Sequence, residues 1–201
     1  MNPAAVEPLR RSLRALLLML TLLGSGNVVA AATDLPPDSV YQLDAPLSDQ
    51  EGHAFQLADK RGRVQLVAMF YTSCAYVCPL IIDSAKGIEH ALGDAEREKL
   101  GLLLVSLDPA RDDTAALKYI ADKRKLDPEH WTLARTDEAN VRKIAALLGV
   151  RYRALVDGEF NHTSALVLLD GEGRKLASSA RLGAQPDPEF LAAVRAALLA
   201  R

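Results

Sequence analysis

Little in this chain is extreme, and what it has little of narrows the field. Only two of its 201 residues are cysteine. At most one disulfide can therefore form, and the two thiols cannot by themselves complete a four-ligand zinc site. The formal net charge is −2, and removing the basic N-terminus leaves the remainder more acidic, so there is no electrostatic footprint for nucleic acid. There is no internal repeat and no low-complexity tract. The apolar run at residues 15–23 is short and is broken by Gly24-Ser25-Gly26-Asn27, which argues against a good membrane span.

That run instead reads as part of an export signal over residues 1–32. Arg10-Arg11-Ser12-Leu13-Arg14 is its basic start, and Val28-Val29-Ala30-Ala31-Ala32 supplies small residues for cleavage after Ala32. An uncleaved anchor is the alternative, and only then would the membrane be a partner. Either way the expected location is outside the cytoplasm, in the oxidising periplasm. Residues 33–39, with Pro36 and Pro37, read as a linker, and residues 40–201 as one globular domain.

Within that domain strands and helices alternate. Residues 40–43 and 54–57 are strand candidates around the turn-forming Ser48-Asp49-Gln50-Glu51-Gly52, predicting an N-terminal β-hairpin. Val64–Phe70 is an apolar strand, followed by a helix to about residue 92. Residues 102–107 form a continuous apolar run, expected of a central strand covered on both faces. Helices follow at residues 114–125 and 137–148, separated by a short strand at 131–134. Residues 152–156 and 164–169 read as a strand pair, 175–178 as a returning strand, and Asp187 with Pro188 as the start of the last helix. This order predicts an α/β fold with a mixed central β-sheet flanked by helices. A dithiol at the end of the first core strand makes a thioredoxin-like arrangement the expectation.

The chemistry-bearing stretch is Phe70-Tyr71-Thr72-Ser73-Cys74-Ala75-Tyr76-Val77-Cys78-Pro79. It places both thiols where a strand ends and a helix begins. If both lie on the first helical turn, their spacing puts the sulfurs on one face with Cα atoms roughly 6 Å apart, within disulfide range. Free N–H groups at a helix start favour thiolate. Such a pair can cycle through a disulfide or grip a soft metal. A purely structural disulfide here would close a tiny loop and stabilise little.

A soft metal held by two thiolates calls for a third ligand. His53 lies in the predicted hairpin, His90 near the end of the cysteine helix and His130 before a strand, and each reads as a surface or packing residue. His162 is different. It sits in Phe160-Asn161-His162-Thr163-Ser164, read as a loop that a thioredoxin-like fold places beside the dithiol. Asp108 and Asp112 are candidates to tune the site electrostatically, or else a helix cap and a solvated loop acid.

Three stretches together resemble the SCO/SenC family of thioredoxin-like copper-binding proteins of cytochrome c oxidase assembly. They are the cysteine motif above, Ser106-Leu107-Asp108-Pro109-Ala110-Arg111-Asp112, and Asn161-His162-Thr163-Ser164. The chain departs from the family pattern at Ala75, Tyr76 and Asn161, and at none of the ligand positions. The resemblance implies that Cys74, Cys78 and His162 ligate copper, as Cu(I) or Cu(II). It implies a metal carrier whose partners are a cytochrome c oxidase subunit or another copper-site apoprotein, with a thiol reductant. A dedicated thiol–disulfide oxidoreductase, with Cys74 and Cys78 as its catalytic pair, is the alternative. Two thiolates and one imidazole suit copper(I), which accepts low coordination numbers.

Overall fold

A computed structural model describes residues 34–200. The export signal read over residues 1–32 lies outside them. No helix among the described residues is long and apolar enough to cross a membrane.

The core is a mixed seven-stranded sheet. Its strands are β1 (Pro46–Asp49), β2 (Ala54–Gln56), β3 (Val64–Phe70), β4 (Leu100–Ser106), β5 (Trp131–Arg135), β8 (Leu166–Leu169) and β9 (Lys175–Ser179). Their spatial order is β2-β1-β5-β4-β3-β8-β9. β3, β4 and β5 run parallel, while β1 and β8 join them antiparallel. Every residue of β3 and β4 is buried, which explains why both are predominantly apolar. Five helices accompany the sheet: α1 (Val77–Ala91), the short α2 (Asp94–Arg97), α3 (Thr114–Arg124), α4 (Glu138–Leu148) and α5 (Pro188–Leu199). Their starts are written locally. Asp113, Asp137 and Asp187 each accept a backbone N–H of the helix they precede. Gly149, at φ 77°, closes α4 in the left-handed conformation.

One expected strand is not a strand. Residues 40–42 form a 3-10 turn instead, because Ser39 caps it by accepting from Tyr41 N at 3.1 Å. Val40 N then donates to Gly173 O at 2.9 Å. Gly173 has φ +81°, and a Cβ there would lie 2.6 Å from the Tyr41 ring, so glycine is required on both counts. The hairpin exists but starts later, with Leu47 opposite Phe55.

The second correction concerns the late strands. Residues 152–156 do not pair with 164–169. A separate two-stranded ribbon forms from β6 (Tyr152–Ala154) and β7 (Phe160–His162), with Tyr152 opposite His162. β8 instead joins the main sheet beside β3. Its four residues are all buried, whereas β6 has none buried. A fully apolar strand belongs between covered neighbours, and a polar one belongs at the surface.

Candidate metal centre

β3 and β4 are adjacent and parallel, so their carboxyl ends bring two loops together. Leu107 N donates to Phe70 O at 2.7 Å, extending the ladder into these loops. Asp112, in the second loop, is fully buried. Its carboxylate accepts from Thr72 N at 3.0 Å, from Thr72 Oγ1 at 2.5 Å and from Ser106 Oγ at 2.5 Å. It therefore fixes the backbone two residues before Cys74. Burial raises its pKa above the usual carboxylate value, and the bonds from Ser106 and Thr72 oppose that shift. Neither alternative reading of Asp108 and Asp112 holds, since both are buried and the helix cap is Asp113.

The two thiols are free and have different surroundings. Cys74 lies in the turn before α1, not on its first helical turn, and is 8% exposed. Its sulfur accepts from Cys78 N at 3.4 Å. Burial pushes the Cys74 thiol up, but the N–H groups of Cys78 and Tyr76, with the Cys78 thiol and the Tyr71 hydroxyl, outweigh it and leave the thiol below its usual range. Cys78, in the first turn of α1, is 2% exposed. Its sulfur accepts from Tyr71 N at 3.4 Å. Burial dominates there and holds it strongly protonated. The result is one thiolate-prone sulfur beside a second, more deeply buried and protonated thiol.

His162 is on β7, not in a loop. Its Nδ1 faces Thr163 O at 3.2 Å, while its Nε2 is buried with no hydrogen-bond partner. Burial lowers its pKa below the ordinary 6.5, with Thr163 O opposing, so the ring is a neutral imidazole at neutral pH. The ring meets Tyr71 edge-on, with centroids 5.9 Å apart. Tyr71 also touches Phe160 at 5.2 Å and donates its hydroxyl hydrogen bond to Glu159 Oε2 at 2.8 Å. The structure thus brings Cys74 and Cys78 together and sets His162 against the ring of Tyr71, whose backbone N–H reaches the Cys78 sulfur. No group of three or more His, Cys, Asp or Glu side chains among the described residues sits at metal-binding spacing.

The donor set nonetheless fits a soft ion. Two sulfurs are adjacent, and the neighbouring imidazole has a buried, partnerless nitrogen that a metal would satisfy. The other histidines are placed elsewhere. His53 pairs with Asp49, Arg63 meets His130, and His90 is exposed near the end of α1.

Sequence reasoning did not single out Tyr71, Glu159 or Arg111. Tyr71 was within the cysteine motif and so was findable. Arg111 binds the Asp108 carboxylate and reaches Gly158 O, tying the β4 loop to the ribbon. Nothing local in the sequence announces that link.

A cavity of about 310 Å³ opens beside the dithiol, between α1 and α3, with Ile82, Ile120, Lys123 and Arg124 on its walls.

Comparison with known proteins places these features in context. The SCO1/SenC family model matches residues 38–198. A SCO2-like protein of Rickettsia felis is 26% identical over 172 residues, 81% of this chain and 80% of its own length. A Stutzerimonas stutzeri protein named for copper binding is 32% identical over 124 residues, 56% of this chain. That match spans 58% of the relative, less than two thirds of its length. Among solved structures, copper-bound Bradyrhizobium japonicum ScoI is 27% identical with a TM-score of 0.63, over 76% of this chain and 96% of that one. A SCO1/SenC family lipoprotein from Bacillus anthracis shares the fold at a TM-score of 0.67 and 19% identity, over 77% of this chain and 95% of that one.

Proposed function

This chain belongs to the SCO1/SenC family, and on that premise we propose that it is an exported copper(I)-binding metallochaperone. Its role in this reading is to assist assembly of the copper centre of cytochrome c oxidase, with a copper-site apoprotein as the recipient. Copper is its cargo, and Cys74, Cys78 and His162 are the ligands. The observation that carries the reading is the buried, partnerless Nε2 of His162 held beside a free dithiol. The three side chains are not at metal-binding spacing, so loading in this reading brings the imidazole onto the sulfurs by a movement of the ribbon or of the side chains. An oxidised pair would not bind copper through its sulfurs, so loading also needs a thiol reductant outside the cytoplasm.

The test is an anaerobic copper(I) titration of the reduced protein. One ion per chain is expected, lost in Cys74→Ala and in Cys78→Ala and strongly weakened in His162→Ala. A His162→Ala protein that binds as tightly as the parent would rule out the three-ligand site.

A second reading has its own observation. The contrast between a thiolate-prone Cys74 and a protonated, buried Cys78 suits an attacking and a resolving thiol. In that reading Cys74 attacks a disulfide of a copper-site protein, and Cys78 then releases the reduced partner. Three intervening residues, rather than the usual two, argue against general thioredoxin activity. Rapid turnover of a generic disulfide with negligible copper affinity would favour this reading over the first.

A further inference from the structure

The cavity beside the dithiol opens on the side of α3, and the residues that line it do not include His162 or its ribbon. A partner can therefore approach the sulfurs there without displacing the imidazole. The surroundings are unusual for this protein in two ways. First, large apolar side chains next in sequence to lining residues are left in solvent: Tyr76 is 86% exposed, Leu80 45% and Tyr119 61%. Tyr76 lies between the two cysteines in sequence, Leu80 lies two residues after Cys78, and Tyr119 adjoins the wall residue Ile120. Second, the wall is cationic on a chain whose net charge is negative. Arg124 is paired with Asp83, and Lys86 donates to Arg124 O at 2.9 Å. Lys123 has no carboxylate partner among the described residues, and its ammonium lies over the Tyr119 ring at 5.4 Å. An ammonium resting on an exposed ring is available to an incoming carboxylate.

We propose that this groove is the docking surface for the cysteine-bearing segment of the partner protein, and that the segment carries a carboxylate beside its cysteine that pairs with Lys123. The apolar rim formed by Tyr76, Leu80 and Tyr119 covers the flanks of the segment, and the cysteine meets Cys74 at the floor. A polypeptide fits better than a small thiol, because the exposed apolar rim extends beyond what a small molecule would cover. This inference rests on the reading of the dithiol as a site that engages a partner's cysteines.

The test uses the reduced Cys78→Ser protein, which traps Cys74 adducts. The probes are two short synthetic peptides, each with one cysteine activated as a pyridyl disulfide, flanked by glutamates in one and lysines in the other. The Cys74 thiolate attacks the peptide sulfur. The Cys74–peptide disulfide forms, the peptide–pyridyl bond breaks, and pyridinethiolate leaves as the chromophore that is followed. At low salt the acidic peptide should react about three- to fivefold faster, the scale of one partly exposed ion pair. Added salt should shrink the difference. Lys123→Glu should reverse the preference, and Lys175→Glu, on a distant edge strand, should leave it. Ile120→Ser should slow both peptides alike. Equal rates for the two peptides, or a preference that survives Lys123→Glu, overturn the proposal. So does a charge preference seen only with pyridyl disulfides of mercaptoethanesulfonate and cysteamine and not with the peptides. Lys123→Glu should keep the parental copper(I) affinity. If the parent binds no copper while the peptide preference holds, the metallochaperone reading fails and the docking surface stands.

Discussion

Cys78 sits in a helix packed on a seven-stranded sheet, whereas His162 sits on a two-stranded ribbon that shares no ladder with that sheet. The dithiol corner is anchored from several directions. β3 is buried along its whole length, α1 packs Ile81, Ile82, Ala85 and Ile88 into the core, and Asp112 locks the loop between them. The ribbon hangs on fewer contacts. Tyr71 meets Phe160 edge-on and bonds Glu159, and Arg111 reaches Gly158 O. An isolated two-stranded hairpin is only marginally stable in water, so the ribbon takes much of its order from Tyr71 and its neighbours. If Cys74, Cys78 and His162 ligate copper as proposed, two ligands would sit on a fixed corner and the third on the ribbon, a division suited to a metal that is loaded and released.

The sharpest way to break this contrast is at the sulfurs. Cys74→Ala or Cys78→Ala should abolish copper(I) binding, measured by competition with a copper(I) chelator. His162→Ala should weaken binding by at least the roughly 10–100-fold that follows loss of a residue that merely orients a ligand. Its thermal unfolding midpoint should fall only modestly, because Nε2 makes no hydrogen bond and the ring loses only the Nδ1 contact with Thr163 O and its edge against Tyr71. A large drop in stability would show that the ribbon is as well anchored as the corner. Asp112→Ala should do the reverse. It orphans the Thr72 N–H and the Thr72 and Ser106 hydroxyls, at roughly 1–3 kcal/mol for each buried group left unpaired. Urea unfolding should report that loss directly. Tyr71→Phe keeps the ring contacts and removes the bond to Glu159, at about 0.5–1.5 kcal/mol. Amide exchange should then quicken in residues 152–162 more than in β3.

The smallest effect expected is a pH dependence. The pKa of His162 is lowered in the folded protein by burial. Its contribution to stability is therefore present above the ordinary value of 6.5 and is lost as the pH falls through the lower folded value. Subtracting the His162→Gln unfolding curve from that of the parent, over a series of acidic pH values, should isolate this slope. A difference that is flat with pH would place the imidazole in water rather than beneath the ribbon.

Much of this was legible residue by residue. The bounds of β3 and its largely apolar character, the capping aspartates at 113, 137 and 187, and Gly149 after α4 are local signals that survived folding unchanged. The errors were in pairing. Residues 40–42 look strand-like, yet a serine cap and a glycine far along the chain make them a turn. Residues 152–154 and 166–169 look like partners, yet the burial of β8 draws it to β3 and leaves β6 to Phe160–His162. Pairing is decided by what covers a strand, and no stretch of sequence records its own cover.

The sequence by itself determined that two thiols stand at a strand-to-helix junction, because strand, turn and helix start are all encoded within a few neighbouring residues. It also supplied a histidine late in the chain with the right company. Only the tertiary structure decided how unequal the two cysteines are. Burial and backbone donors from Tyr71, Tyr76 and Cys78 set each sulfur apart, and those depend on how α1 seats on the sheet. It alone decided that Asp112 is a buried strut and that His162 meets the ring of Tyr71 edge-on. Distances between residues far apart in the chain follow from packing, which a local pattern does not carry.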